Sequence, residues 1–442
     1  MLLRSFSCSP TLLRAVVLFS TCLVMSACGV FQVGLEPAAP EATLTLPPTV
    51  PVVFPTFTPT PIPPADFDPL PAGKKIRLTS IHMLDKTTGW GIGQIEGSDT
   101  DFVLLTRDGG RTWQNRTPRA VLQSLPPQGL ALTAFFGPQG RAWALWSDRE
   151  AGGFPDSGVV VWRTADFGQT WQTGAPLSLE GVPAEYFVPV HFGFLDATYG
   201  WLMARLGAGM SHDYVAAFVT EDGGLTWRRV LDPVQHLDLM VCQKTGLAFV
   251  SAREGWLTGD CPGLLPGLFL YATRDGGQTW QAVSLPVPAG LPADWFGGEK
   301  AGCGVTGLVY TGGDGLALSV RCLANDGGKV WGWLYTAGPG KELQARVLPQ
   351  PYGGFQFLNA REGWFIGAAS SDPAAPAVIY RTTDGGLSWR PVLATAWQGV
   401  PNFVDAETGW VIARTGEKSA LVYTTNGGLL WEEISPVTGM EK

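Results

Sequence analysis

Six copies of one eight-residue pattern punctuate this chain: TRDGGRTW at 106–113, then TADFGQTW, TEDGGLTW, TRDGGQTW, TTDGGLSW and TTNGGLLW, the last ending at Trp431. A motif that returns this often marks one small structural unit used again and again. Each position suits a tight turn between antiparallel strands. Gly109 and Gly110 supply the positive φ that such a turn needs. Asp108 can accept hydrogen bonds from the turn's own N–H groups. Its counterparts are Asp166, Asp222, Asp275, Asp384 and Asn426. The closing tryptophan (Trp113, Trp171, Trp227, Trp280, Trp389, Trp431) opens the next strand and buries a large ring against a neighbouring unit.

A second motif precedes the first by roughly twenty residues in each unit, a β-run, a turn and Gly-Trp. It reads MLDKTTGW to Trp90, GFLDATYGW to Trp201, FVSAREGW to Trp256, FLNAREGW to Trp364 and FVDAETGW to Trp410, with a weaker copy, FFGPQGRAW, ending at Trp143. The two motifs together describe four short strands: one before the first turn, one beginning at Gly-Trp, one ending at the aspartate turn and one beginning after it. That unit is a propeller blade. The aspartate positions step by 58, 56, 53, 109 and 42 residues, and the 109 is two periods. Between Asp275 and Asp384 lie GVTGLVYTGGDGLALSV and WGWLYTAGPGKELQARV, which complete a unit that has lost its aspartate and its turn tryptophan. The expected fold is therefore all-β, a seven-bladed propeller of four-stranded antiparallel blades over residues 74–442. Composition agrees, with 57 Gly and 35 Pro for turns and 45% apolar residues for a core.

Cys242 and Cys261 stand 19 residues apart, and so do Cys303 and Cys322. Each pair brackets the first two strands of one blade, whose ends lie side by side, so disulfides Cys242–Cys261 and Cys303–Cys322 are expected, with four buried thiols as the alternative in a reducing compartment. The N-terminus favours an oxidising one. Arg4 and Arg14 precede an apolar run, Ala15 to Met25, that ends Met-Ser-Ala-Cys28, and residues 1–27 resemble a bacterial lipoprotein signal. Cleavage would leave Cys28 lipidated and the protein anchored on the outer side of a membrane without spanning it; an uncleaved signal anchor is the alternative. Residues 28–73, dense in Pro and Thr from Glu36 to Pro71, read as an extended tether rather than a docking motif. At about 3.1 Å per residue it would hold the propeller on the order of 100 Å from the bilayer.

Loss of the signal removes two of 30 Lys+Arg and leaves 38 Asp+Glu, a net charge of −10. Such a balance argues against nucleic acid and against electrostatic lipid binding. The four histidines, His82, His191, His212 and His236, are expected in different blades without ligand spacing, so no metal site is expected, and nothing implies a cofactor. The DGG turns open strands, not helices, and offer no phosphate cradle.

The paired motifs, F-x-x-x-x-x-GW followed by T-x-DGG-x-TW, resemble the BNR or Asp-box repeats of the photosystem II assembly and stability factor family, from Lys74 to the end of the chain. The resemblance implies a seven-bladed propeller and a non-enzymatic, chaperone-like scaffold that binds a protein partner, a membrane-protein complex above all. The arginines of this chain are scattered, without the arginine-rich surface of the photosynthetic members. Asp-box repeats also occur in sialidases, xyloglucanase-type glycoside hydrolases and sortilin-like receptors, which makes a surface glycan-binding protein or hydrolase the alternative. A sialidase needs an arginine cluster and an Arg-Ile-Pro opening, which this sequence does not contain. A xyloglucanase-type enzyme needs two carboxylates across a cleft. The box aspartates belong to turns on the outer rim, so no catalytic residue is assigned.

In a propeller the loops from second to third strand and from blade to blade gather around one mouth of the channel. Here they are expected at 93–101, 146–158, 205–214 and 367–376, with a long connection from Ser284 to Gly302. Trp146, Arg149, Arg205, His212, Asp213, Trp295 and Phe296 are the candidate residues of that face, the aromatics as exposed contacts for a protein or a sugar. Ring closure is expected from Lys74–Met83, completing the blade of the other terminus, with the C-terminal strand Leu430–Ile434 ending close by.

Overall fold

The computed structural model describes residues 65–123, 129–149, 158–261, 267–312, 315–337 and 343–440. Cys28, the signal and the greater part of the tether lie outside the described residues. Seven antiparallel sheets follow one another along the chain, each with its strands in sequence order except where noted. Blade one is Ile76–Met83, Gly89–Ile95, Phe102–Thr106 and Thr112–Asn115. Blade two is Leu130–Phe136, Ala142–Asp148, Trp162–Thr164 and Gln172–Thr173. Blade three is Val188–Phe194, Gly200–Gly209, His212–Thr220 and Arg228–Leu231. Blade four is Gln243–Phe249, Gly255–Asp260, Phe269–Thr273 and Gln281–Ala282. Blade five, whose turn motif is lost, is nonetheless complete: Ala301–Gly312, Gly315–Ala324, Val330–Ala337 and Gln344–Val347. Blades six and seven run from Tyr352 to Thr395 and from Asn402 to Ile434. The first strands of blades two to five pack on one another in turn, as do those of blades seven and one, which places the first strands innermost.

The Phe-to-Gly-Trp motif has a steric cause. At the turn between first and second strands, the last residue of the first strand lays its ring over the glycine that opens the second. A Cβ at Gly200 would stand 2.4 Å from the Phe194 ring, at Gly255 2.6 Å from Phe249, and at Gly409 2.6 Å from Phe403. Only glycine admits this close approach. The tryptophan that follows projects into the next blade, and three of these indoles donate Nε1–H to the first turn glycine there. Trp143 reaches Gly223 O at 2.9 Å, Trp364 reaches Gly427 O at 3.2 Å, and Trp410 reaches Gly109 O at 3.0 Å. Blade two replaces that glycine by Phe167. Trp90 stacks on its ring at 6.1 Å instead, and the Trp90 Nε1 meets no acceptor among the described residues.

The aspartate turn is built as its sequence implies. Gly109 and Gly110 have φ of 74° and 92°. Asp108 Oδ1 accepts from the N–H groups of Arg111 and Thr112 at 3.1 and 2.9 Å, and Oδ2 accepts from the Thr112 hydroxyl at 2.7 Å. Trp113, fully buried, packs with Trp410 and Leu421 of blade seven; the other five turn tryptophans are half-buried. The exceptional Asn426 is matched by its neighbourhood. The residue four positions on is Leu430 rather than Thr or Ser, so no hydroxyl is present to donate to a second carboxylate oxygen. Asn426 Oδ1 still accepts from Leu430 N at 2.9 Å.

These bonds lower the pKa of the box carboxylates. The Thr279 hydroxyl and N–H hold Asp275 down to about 2, and Ser388 does the same for Asp384. A carboxylate depressed below its unfolded value stabilises the fold above about pH 4, and that contribution is lost as pH falls toward 2. Asp275→Asn and Asp384→Asn together are expected to reduce the loss of stability between about pH 4 and 2, read from chemical denaturation at fixed pH. An unchanged acid slope would mean the turns do not titrate as described.

Closure differs from the expected form. Lys74–Met83 does not complete the other terminus's blade: its strand, Ile76–Met83, is the innermost strand of its own blade. The closing element is Val437–Thr438, a fifth strand on the outside of blade one, parallel to Thr112–Asn115. Blade seven is already full with four strands, so the chain end is free to cross the seam. The termini do meet, with Lys75 bridging Val437. The tether also ends sooner than residue 73. Phe67 is buried under the Arg116 guanidinium at 4.2 Å, Asp68 pairs with Arg119 at 2.8 Å, and Asp66 N donates to Gln169 O at 2.9 Å.

Candidate binding face

First strands begin, second strands end and third strands begin at one mouth of the channel. Three arginine–aspartate pairs stand there. Arg149, just past the second strand of blade two, reaches back to the loop of blade one: Nη2 lies 2.9 Å from Asp101 Oδ1, and Nε donates to Asp99 O at 2.9 Å. Trp146 joins the same loop through Nε1–H to Asp101 O at 3.2 Å. In blade three Arg205 pairs with Asp213 at 3.2 Å and donates to Lys244 O of blade four at 3.2 Å. Arg321 of blade five reaches Asp260 of blade four at 3.4 Å and lies over the Tyr352 ring of blade six at 4.9 Å. Both disulfides, Cys242–Cys261 and Cys303–Cys322, form at this same mouth. These arginines tie blade one to two, three to four, and four through five to six, while each disulfide closes the edge of a single blade.

Lys244 is the least expected residue here. It is 1% exposed, and its ammonium donates to Val241 O and Cys242 O at 2.8 Å each, over the Phe269 ring at 4.8 Å. Burial lowers its pKa to about 8, opposed by Asp213. Asp213 Oδ2 in turn accepts Lys244 N at 2.7 Å. His191, on the inner strand of blade three, is lowered to about 4 by burial and by Arg205, and so stays neutral. Burial raises Asp260, opposed by Arg321.

The structure brings together five of the seven candidate residues at this mouth, Trp146, Arg149, Arg205, His212 and Asp213, and revises several. Residues 205–214 are not a loop but a β-hairpin, with Arg205 and His212–Tyr214 inside strands and only Met210 and Ser211 at the turn. Ser211 takes φ 64°, which lets the long strands continue to the tip. Trp295 is not an exposed contact. At 7% exposure it packs edge-on to Trp331 at 5.0 Å in the core of blade five, and half-buried Phe296 packs on the same cluster. The Tyr335 hydroxyl donates to Pro286 O of that connection at 2.8 Å and ties it to the blade. The histidines do not fall in different blades either: His191 and His212 both belong to blade three, and His236 follows it. Most of loop 146–158 lies outside the described residues.

Sequence reasoning missed Asp101, Lys244, Asp260, Arg321 and Arg414. Arg414 is exposed near the end of the second strand of blade seven and donates to Thr79 O of blade one at 3.3 Å. Beside it Arg77 bonds Gln94. The signal was available in register: Arg205 and Arg414 each stand four residues after the Gly-Trp tryptophan of their blades. Arginines scattered in sequence are thus gathered on one face by the repeat.

No protein-family profile matches the chain, and no curated protein matches it either. Solved structures do match. An oligogalacturonate lyase in complex with manganese is similar over 82% of this chain and 98% of its own, at 11% identity and a TM-score of 0.53. The GH74 xyloglucanase of Xanthomonas campestris is similar over 85% of this chain at 14% identity and a TM-score of 0.50, and this chain spans 55% of its length. YCF48 from Cyanidioschyzon merolae is similar over 82% of this chain and 99% of its own, at 17% identity and a TM-score of 0.45. At such identities the shared property is the propeller fold.

Proposed function

We propose that the protein is a lipid-anchored, extracytoplasmic, non-enzymatic scaffold whose loop face docks a protein partner, a membrane-protein complex in assembly above all. One observation carries this reading. None of the seven inner strands contains Asp or Glu, and Asp101, Asp213 and Asp260 at the mouth are each engaged by an arginine. A hydrolase working in the channel would need two carboxylates with divergent environments facing a sugar. What the face offers instead is a platform held rigid by ion pairs and disulfides, with the exposed arginines Arg77 and Arg414 at its edge. Preorganised platforms of this kind suit partner recognition. The two disulfides support the oxidising compartment that the N-terminal signal implies. The repeat resemblance supports the scaffold role.

Asp260 favours the second reading, a glycoside hydrolase or glycan-binding protein, because a carboxyl raised by burial is what a general acid requires. Affinity capture of the tagged full chain from its membrane, beside a glycan array and a xyloglucan hydrolysis assay, separates the two. A reproducible membrane-protein partner with silent glycan assays is the expected outcome. Hydrolysis abolished by Asp260→Asn would establish the enzyme instead.

A further inference from the structure

Residues 65–73 form a strap along the outer strand of blade one, tied to the ring at both ends. Asp66 N donates to Gln169 O of blade two at 2.9 Å, and Arg119 N donates to Asp66 O at 2.7 Å. Phe67 is 4% exposed, with the Arg116 guanidinium over its ring and Arg119 Nη2 donating to its carbonyl at 3.3 Å. Asp68 accepts Arg119 Nε on its carboxylate and Asn115 Nδ2 on its carbonyl, at 2.8 Å each. The other end of the strap meets the closing strand at Thr438, a fully enclosed residue. Thr438 Oγ1 donates to Pro71 O at 2.5 Å and accepts from Lys74 N at 2.9 Å. Thr438 O accepts from Gly73 N at 2.8 Å, and Thr438 N donates to Lys74 O at 2.9 Å.

Two features make this arrangement a latch. The closing strand is divided between two neighbours: Val437 and Gly439 donate to Arg111 O and Trp113 O of blade one, whereas the N–H, carbonyl and hydroxyl of Thr438 all bond to residues 71–74. Its ladder on blade one is two residues long and parallel, the less stable pairing per residue, so the closing strand depends on its second neighbour. The strap, for its part, is thinly held between its ties. Asp68, Pro69, Pro71, Ala72 and Gly73 are exposed, and Phe67 is its one buried residue. A segment with so few buried contacts opens locally before the ring does. We propose that strap and closing strand open as one unit: unseating Phe67 at the tether end frees Val437–Thr438 and leaves the outer edge of blade one unpaired. The latch couples the tether to the closure of the ring and does not depend on what the loop face binds.

The test is amide hydrogen exchange of the full chain, read by mass spectrometry over peptides covering 65–73, 436–440 and, as a control, 255–260 in blade four. Phe67→Ala and Arg119→Ala loosen the tether end of the strap, and neither residue bonds to the closing strand. Each is expected to speed exchange over 436–440 at least about tenfold while 255–260 stays as in the parent chain. Coupling is reciprocal, so Thr438→Val, which removes the hydroxyl shared by Pro71 and Lys74, is expected to speed exchange over 65–73. Where Phe67→Ala raises exchange in blade four as well, the ring itself has unfolded, and Arg119→Ala decides by the same criterion. Fast exchange over 65–73 with 436–440 still protected, or protection of 65–73 unchanged in Thr438→Val, would show two independent contacts and overturn the latch.

Discussion

Removal of the chain from Pro436 onward is expected to lower the melting temperature by roughly 10 °C, on the following grounds. Eight hydrogen bonds cross the seam there among the described residues, two of them from Thr438 Oγ1 to Pro71 O at 2.5 Å and from Gln114 Nε2 to Met440 O at 3.2 Å. Ile76 N donates to Pro436 O, Val437 N to Arg111 O, Thr438 N to Lys74 O, Gly439 N to Trp113 O and Gly73 N to Thr438 O, at 2.8 to 3.2 Å; Lys74 N donates to Thr438 Oγ1 at 2.9 Å. At a net contribution of about 1 kcal/mol each, their loss is large beside the marginal stability of a folded domain. Blade one would also present its outer strand as a bare edge, open to pairing with other chains. Deleting residues 74–80 strikes the same seam from the other side and removes buried Ile76 and Leu78. A calorimetric melting temperature unchanged in the C-terminal truncation would show that the ring holds without its fifth strand.

Trp410→Ala is expected to cost about 3–5 kcal/mol, the range for deleting a large buried aromatic. Its ring is 1% exposed, sits among Leu78, Trp113 and Leu421, and carries the hydrogen bond that joins blade seven to the turn of blade one. A contrast isolates that bond. Trp410→Phe removes the donor and strands Gly109 O, whereas Trp90→Phe removes an indole N–H that meets no acceptor among the described residues. The first is expected to exceed the second by about 1 kcal/mol or more in urea unfolding. Equal costs would mean that the indole bonds add nothing to stacking.

Repetition explains what could be read in advance. The turn and Gly-Trp motifs recur because steric contacts demand them: glycine under an aromatic ring, and a carboxylate among turn N–H groups. Six such anchors placed six blades, and the doubled spacing with the strand segments inside it revealed blade five, where the anchor is gone. What a repeat does not encode is how its variable parts settle. Trp295 looked like an exposed contact because it stands among prolines, yet Trp331, more than thirty residues on, provides a wall for it. Residues 205–214 stand where a loop from second to third strand is expected, yet they form a hairpin long enough to reach blade four, with His212 bridging Val241. Two of the three ion pairs of the loop face join different blades, so Arg149 with Asp101 and Arg321 with Asp260 become visible only when the ring is closed.

The scaffold reading rests on where a partner touches the ring. A photo-crosslinking residue placed in turn at positions 149 and 414 on the loop face, and at positions 387 and 429 on the exposed turn tips of the opposite face, reports that contact directly in the membrane-bound full chain. The account predicts crosslinks to one membrane-protein partner from 149 and 414 and none from 387 and 429. Crosslinks to that partner from 387 and 429 alone would contradict it.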